Sequence, residues 1–185
     1  CGSAIQTGML GLDTAERPPA DGNTATLYIH AVNPYGFSHL RRVTQENVDL
    51  NRNFLDFAQP LPANPGYAEI HELLLPPAWP PQAEVEAGIA AYRERHGSRG
   101  LQRAIGLGQH SHADGMFFGG SAPTWSNLAF RNIMRRHAPH ARVLASIDIH
   151  TGLGPYGVGE RIYASFANDQ LERARRWWGE VTSVH

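Results

Sequence analysis

Two mainly apolar runs stand out from a chain whose other segments are mostly polar. Residues 25–32 and 143–149 have the length and composition of strands buried in a parallel sheet. Shorter runs at 104–108 and 162–166 are further strand candidates. We therefore predict strands at these positions and look for helices between them.

Helical patterns separate these runs. In one of them, Val85, Ile89 and Tyr92 recur at helical spacing before Gly97, a residue type that commonly follows a helix end. The predicted helices cover residues 4–12 (with Ser3 as N-cap), 67–75, 82–96, 124–137 and 168–182. Strands that alternate with helices predict an α/β fold with a mainly parallel sheet.

Polar loops follow the two longest predicted strands. One runs from Asn33 to Phe57, and the other starts at His150 in a glycine-rich stretch. In open α/β sheets, ligands bind at the carboxyl ends of the strands. We therefore expect these two loops to form the binding site.

Composition excludes several classes of function. Sixteen basic and seventeen acidic residues give a formal charge of −1, so no overall field would attract nucleic acid or an anionic membrane. No apolar run has the length needed to span a bilayer. The single cysteine, Cys1, cannot form an intrachain disulfide or a thiolate metal cage, and it fits a reducing compartment. The cytoplasm is therefore the favoured location, and the oligomeric state is left open.

The ends of the chain indicate a fragment. The chain begins with Cys1 and runs directly into a helical pattern, and the segment 177–185 stops inside a predicted helix. We expect both ends to be cuts within a longer protein.

His150 is the first candidate metal ligand. Asp148 lies two residues before it, and alternate strand residues face the same side of a sheet. A carboxylate beside a metal-binding histidine is a common supporting arrangement. A purely structural histidine at a strand end is the alternative, and the residues alone leave both open.

Arginines in the first polar loop are candidate carboxylate ligands, because a guanidinium pairs with a carboxylate through two parallel hydrogen bonds. They are Arg41, Arg42 and Arg52. Solvated surface arginines are the alternative. The loop also contains several amides, which hold loops in shape by hydrogen bonding and favour a binding role: Asn33, Asn47, Asn51 and Asn53.

Two other polar groups look less like functional sites. His110, Ser111, His112 and Asp114 resemble a metal cluster, but in a glycine-flanked loop we expect surface residues. Basic and aromatic residues on the helices at 124–137 and 168–182 are expected to be solvated faces with buried tryptophans, rather than nucleic-acid patches.

Four motifs in order carry a family resemblance. They are NPYG (33–36), VDLNRNF (48–54), GGSAPTWSN (119–127) and SIDIHTGLG (146–154), and together they extend over nearly the whole chain. This pattern resembles the zinc carboxypeptidase superfamily, with NPYG in place of the usual NPDG. The form of the last motif is similar to aspartoacylase and succinylglutamate desuccinylase. Residues 1–6 resemble the segment after the zinc motif HGVEGF in a poorly characterised bacterial branch of predicted metallopeptidases, which we favour.

The resemblance implies a fold and a set of roles. The fold would be a three-layer α/β structure, with a mostly parallel, mixed sheet and helices on both faces, present here in incomplete form. His150 would be the third ligand of one zinc ion. Asn51 and Arg52 would bind the substrate carboxylate, and Arg41 would polarise the scissile carbonyl, with Arg42 as an adjacent rival.

Part of the implied catalytic site has no counterpart in the sequence. The family's first two ligands form a His-x-x-Glu pair, which is absent from the chain and would lie before residue 1. The resemblance places the family's general-base glutamate well downstream of the third ligand, beyond residue 185, and Glu160 is too close to His150 to take its place. Residues 1–185 are thus expected to be a partial catalytic domain that binds zinc weakly and is inactive alone.

Three functions remain in competition. The first is a zinc-dependent hydrolase that cleaves a peptide or amide bond next to a free carboxylate. The second is an N-acyl amino-acid deacylase of the aspartoacylase type. The third is a non-catalytic carboxylate-binding module with a degenerate site.

Overall fold

A computed structural model describes residues 2–12, 22–150, 155–164 and 168–183. These residues divide into a larger unit, Ser3–Ile147, and a smaller unit that comprises the described residues from Asp148 onward together with Gly2. The elements are α1 (Gly2–Gly11), α2 (Pro34–Ser38), α3 (Pro65–Leu74), α4 (Ala83–Gly106), α5 (Trp125–His137), β1 (Ile162–Tyr163), α6 (Asn168–Trp178) and β2 (Thr182–Ser183), with short 3-10 turns at Leu50–Arg52 and Ala138–His140.

The main apolar core of the larger unit lies between α3 and α4. Helix α4 is interrupted at Gly97, whose φ of 73° and ψ of 166° are not helical. Tyr92 before this break and Leu101 and Ala104 after it pack against Ile70 of α3. Burying an aliphatic side chain of this size contributes about 1.5–3 kcal/mol, so this contact fixes both halves of α4 on α3.

One asparagine links the start of α3 to the end of α4. The side-chain oxygen of Asn64 accepts a hydrogen bond from the Tyr67 N–H at 3.0 Å, which caps α3. Its Nδ2 donates to the carbonyls of Ala104, at 2.9 Å, and Gly108, at 2.8 Å. The polypeptide leaving α4 is therefore held beside the first turn of α3.

The helix predictions for the larger unit are confirmed, with end positions shifted by one or two residues except at the end of α4. That helix is predicted to end at residue 96 and continues, across the break at Gly97, to Gly106, and one strand prediction is wrong. The sequence predicts a strand at residues 104–108, but α4 continues to Gly106. The reason is that Leu101 and Ala104 lie three positions apart on the helix face that packs against Ile70. In the smaller unit, α6 ends at Trp178, earlier than predicted, and Gly179 follows with a φ of 77°.

The two longest strand predictions are not found in the structure. Residues 25–32 and 143–149 form no strand, and their apolar side chains are largely exposed: Leu27 is 47% exposed and Val143 is 70% exposed. A strand requires a hydrogen-bonded neighbour, and none of the described residues pairs with either run. β1, at the start of the predicted run 162–166, does pair, in parallel with β2. The three-layer sheet stays a prediction.

Tryptophans predicted to be buried are partly exposed. Trp125 on α5 is 62% exposed, and Trp177 on α6 is 45% exposed. Most of the predicted turn at 13–24 lies outside the described residues. Among the described helices, none combines the length and hydropathy required to cross a membrane.

A loop over residues 109–119 is fastened to α3 by Tyr67. A parallel bridge joins Gln109 to Phe118 at the base of the loop. The hydroxyl oxygen of the fully buried Tyr67 accepts a hydrogen bond from the Met116 N–H at 2.6 Å. Nearby, the rings of His71 and His112 stack with their centroids 4.0 Å apart. The loop is therefore a fixed part of the larger unit.

Replacement of Tyr67 by phenylalanine should change stability in a pH-dependent manner. Burial raises the pKa of Tyr67, with a further rise from Asp114 and an opposing effect of the Met116 hydrogen bond. Because the folded state prefers the neutral phenol, this stabilisation is present below the unfolded pKa of about 10 and is lost as pH rises above it. Tyr67→Phe should lower the free energy of unfolding at neutral pH by about 1–3 kcal/mol, because the Met116 N–H loses its acceptor.

Urea denaturation at neutral and alkaline pH checks this expectation. The variant should lose less stability than the wild type on going above about pH 10. Tyr28→Phe, at an exposed tyrosine, is the matched control and should behave like the wild type at both pH values. If Tyr67→Phe and the wild type lost the same free energy of unfolding at alkaline pH, ionisation of Tyr67 would not be the cause of that loss.

Candidate functional site

The 3-10 turn Leu50–Arg52 is built on a buried carboxylate. Asp49 is 2% exposed, and its Oδ1 accepts a hydrogen bond from the Asn51 N–H at 3.0 Å. Its Oδ2 lies 3.0 Å from Nε of Arg42. The Asp49 N–H donates to the carbonyl of Phe118 at 2.7 Å. These bonds hold the turn in place, and Asn51 and Arg52 are adjacent within it.

Asn53, which follows the turn, joins three segments. Its side chain is fully buried, and Nδ2 donates to the carbonyls of Gly119, at 2.8 Å, and Ala122, at 2.9 Å. Its Oδ1 accepts from the backbone N–H and the hydroxyl of Thr124. Its carbonyl accepts from Nδ2 of Asn127 at 2.7 Å. One residue thus connects the turn, the 119–122 segment and the first turn of α5.

A small cavity of about 140 Å³ opens beside this turn. It brings together Asn51 and Arg52, the two residues predicted to bind a substrate carboxylate. Its lining consists of Asn51, Arg52, Phe54, Leu55, Pro62, Leu107, Gly108 and His110. The cavity therefore combines a cationic group with apolar surface.

The guanidinium of Arg52 is held in place but only partly hydrogen-bonded. Its Nη2 donates to the carbonyl of Gly106 at 2.6 Å, and its Nη1 donates to that of Asn51 at 3.3 Å. Its Nε is buried and has no partner among the described residues. Arg52 as a whole is only partly buried, but a cationic group with a buried nitrogen and no described counter-ion carries a desolvation cost, which a ligand carboxylate in the cavity would offset.

Gly108 provides the space for the Arg52 side chain. It has a φ of +83°, a region that side-chain-bearing residues rarely adopt. A Cβ at this position would also lie 2.6 Å from Cδ of Arg52. Both constraints require glycine here, so the end of α4 is shaped around the arginine.

His110 is a cavity residue that the sequence alone predicts at the surface. It is half-buried, and its Nδ1 lies 2.7 Å from the carbonyl oxygen of Gly120. A Cβ on Gly119 would lie 2.6 Å from Nε2 of His110, so the ring occupies the space left by that glycine. One signal in the sequence could have indicated this position of the ring. It is the pair of adjacent glycines nine and ten residues after the histidine.

The adjacent arginines of the first loop have different environments. Arg42 is paired with Asp49, and its guanidinium carbon lies 5.2 Å from the centre of the Phe117 ring. The side chain of Arg41 is exposed and has no hydrogen bond or ion pair to any other described residue. Arg41 is therefore the member of the pair whose guanidinium has no partner among the described residues.

His150 belongs to the smaller unit and contacts Asp148, although the strand from which this proximity is predicted is not formed. Its Nε2 lies 2.8 Å from Oδ2 of the aspartate. This leaves Nδ1 as the nitrogen without a protein partner among the described residues. Both side chains are exposed. The pair has the form of a metal-binding histidine supported by a carboxylate.

The described residues do not by themselves fit a zinc centre. Catalytic zinc takes three protein ligands, and within the described part of the chain no group of three histidine, cysteine or acidic side chains is placed to hold a metal ion. His71, His112 and Asp114 lie near one another, but the two imidazole rings are stacked and the closest His71–Asp114 approach is 3.7 Å. Stacked rings direct their nitrogen lone pairs side by side instead of toward one point.

A larger depression of about 680 Å³ lies in the smaller unit. Its lining includes Arg161, Arg175, Glu160 and Glu180, so it presents charges of both signs. It contains none of the predicted site residues. The small cavity around Arg52 is the better candidate, because no described acidic residue pairs with its ionisable groups.

The geometry defines a cationic cavity with an apolar lining on a helical scaffold. Residues 1–185 match the model of a family described as protein of unknown function (DUF2817), and the chain belongs to that family. No curated protein and no solved structure matches the chain in the corresponding comparisons. The activity therefore has to be inferred from the site.

Replacement of Asn53 by alanine should destabilise the larger unit and disrupt the cavity. The change removes the partners of several buried groups, including the Thr124 N–H, and each unpaired buried group costs about 1–3 kcal/mol. We expect a loss of about 3 kcal/mol or more in the free energy of unfolding, measured by urea denaturation.

Asn51→Ala is the matched control, because Asn51 is an exposed asparagine two positions away. Its side chain forms no hydrogen bond to other described residues, so its removal should change stability by less than about 0.5 kcal/mol. Equal effects of the two substitutions would show that Asn53 does not hold these segments together.

Proposed function

We propose that this chain supplies the substrate-binding wall and one metal ligand of a zinc-dependent hydrolase of the carboxypeptidase type. The reaction would cleave a peptide or amide bond next to a free carboxylate. The observation that supports the proposal is that Asn51 and Arg52 line one cavity, with the charge of Arg52 lacking an acidic partner there. The motifs VDLNRNF and SIDIHTGLG carry the resemblance to zinc carboxypeptidases on which the proposal also rests.

In this proposal Arg52 binds the carboxylate and Asn51 adds a hydrogen bond. The guanidinium retains unused N–H donors after its bonds to the Gly106 and Asn51 carbonyls. The apolar lining from Phe54, Leu55 and Leu107 would accept the side chain next to that carboxylate. The site would thus favour ligands that combine a carboxylate with an apolar group.

In this proposal Arg41 would act on the scissile carbonyl, and His150 would act as a metal ligand. Arg41 has an exposed guanidinium with no ion pair to a described residue, and this group can stabilise the negative charge on a carbonyl oxygen. His150 would bind zinc through Nδ1 while Asp148 holds Nε2. Zinc in such enzymes polarises the carbonyl and activates water. The described residues provide one of the required ligands, so the others would have to lie outside them.

A carboxylate-binding module without catalysis is the second candidate. It is favoured by the contrast between a formed cavity around Arg52 and the lack of a three-ligand group in the described part of the chain.

An N-acyl amino-acid deacylase differs from a carboxypeptidase in its substrate. The same residues would serve it, because the amino-acid carboxylate would again bind Arg52.

Hydrolysis assays distinguish these functions. The protein from the complete reading frame should cleave a short peptide with an apolar C-terminal residue, lose activity with a chelator and regain it with zinc. The 185-residue chain alone should bind zinc weakly and give no turnover. Arg52→Ala should lower kcat/KM by roughly 10- to 100-fold, because a hydrogen-bonded charge is lost.

Arg99→Ala is the matched control, since Arg99 is exposed on α4 and no contact of its side chain with other described residues is seen. Faster turnover of N-acetyl-leucine than of peptides would indicate the deacylase. Carboxylate binding without any turnover would indicate the binding module. Chelator-sensitive turnover by the 185-residue chain would show that the ligand assignment is wrong.

A further inference from the structure

One ionisable side chain in the cavity has no role in the proposed function. His110 lines the same cavity as Asn51 and Arg52. Its ring is fixed by the Gly120 carbonyl on one side and is seated against Gly119 on the other. A ring held in this way has a defined orientation, and this orientation determines which of its nitrogens donates a hydrogen bond.

The Gly120 contact fixes which nitrogen of His110 carries a proton. A carbonyl oxygen only accepts, so Nδ1 must be the donor in the 2.7 Å contact, in both the neutral and the charged form of the ring. Nε2 has no protein partner among the described residues and is not sealed from solvent. Nε2 is therefore an acceptor when the ring is neutral and a donor when the ring is protonated.

The groups that face His110 favour an anion in the cavity. Arg52, from the 3-10 turn, is the charged residue of the lining. The end of α4 contributes Leu107 and Gly108, and residues 54–62 contribute apolar side chains. Asp114, on the same loop as His110, is directed toward His71, with the closest approach at 3.7 Å. Arg52 and protonated His110 thus share a cavity whose lining includes no carboxylate among the described residues.

We propose that His110 is a second carboxylate-binding residue of this cavity and makes its affinity depend on pH. In its protonated form, the Nε2–H donates to the same ligand carboxylate that Arg52 binds. A histidine ring gains a positive charge as the pH falls, so carboxylate ligands bind more tightly at lower pH. This inference rests on the carboxylate-binding role of the cavity, but on neither zinc nor turnover.

Equilibrium binding of N-acetyl-leucine to the full chain in the presence of a chelator tests the proposal. The α-carboxylate of this probe, with a reference pKa of about 3.5, stays ionised throughout the range used. The dissociation constant, measured by NMR titration, should rise roughly tenfold between about pH 5.5 and pH 8, as a charge-assisted hydrogen bond is lost. For His110→Gln it should stay constant and equal to the weaker value.

Two controls separate His110 from other effects. His140→Gln, at an exposed histidine after α5, should retain the pH dependence of the wild type. The uncharged probe N-acetyl-leucine amide should bind weakly and without pH dependence. Nitrogen-15 spectra of the His110 ring should show Nδ1 protonated throughout and a shift at Nε2 on addition of the carboxylate.

The outcomes distinguish this proposal from the proposed function. A pH-independent affinity in the wild type, or the same pH dependence in His110→Gln, would overturn the role of His110 and leave the role of Arg52 intact. Loss of binding at all pH values in Arg52→Ala, with residual binding in His110→Gln, would support both. No binding of the probe by the wild type would overturn the carboxylate site itself, whatever the hydrolysis assays give.

Discussion

The fully buried amide of Asn53 lies where the 3-10 turn, the 119–122 segment and helix α5 meet. Its nitrogen has two acceptors, its oxygen accepts from Thr124, and its carbonyl accepts from Asn127. Water cannot replace these partners without entering the interior, so the bonds are mutually dependent. Two positions depend on this one residue. They are that of Arg52, which precedes Asn53 in the turn, and that of Gly119, against which the ring of His110 lies.

The arginines of the first loop differ in whether an acidic residue of the protein pairs with their charge. Arg42 is paired with Asp49, and that pair helps to hold the base of the turn. Arg52 is turned toward backbone carbonyls and a glycine, and it has no acidic partner among the described residues. Carbonyl dipoles hold a guanidinium in place without neutralising its net charge. The fold therefore retains positive charge in the cavity, where a ligand can pair with it.

Local patterns predicted the helices, because apolar spacing within a helix is decided by nearby residues, as Ile89 and Tyr92 illustrate. Asn51 and Arg52 line one cavity, and their role in binding a carboxylate stays a prediction. The apolar run 143–149 has the composition of a strand, but composition indicates only a preference for burial, and pairing depends on segments remote in sequence.

The position of His110 in the cavity could not be predicted from its neighbours in sequence, since its environment comes from Gly119 and Gly120. The different environments of Arg41 and Arg42 likewise depend on the position of Asp49, which pairs with Arg42.

The distances in sequence that the Asn53 bonds span have a consequence for the order of folding. They link residues 66 to 74 positions apart, and the Arg52 bond to Gly106 spans 54 positions. Closing such loops costs chain entropy before any contact compensates for it, whereas α3 and α4 meet through a short connection. We therefore expect the helical pair to form early and the cavity to be completed late. Ligand affinity would then report on complete folding, because a partly folded chain could retain its helices and still lack the binding cavity.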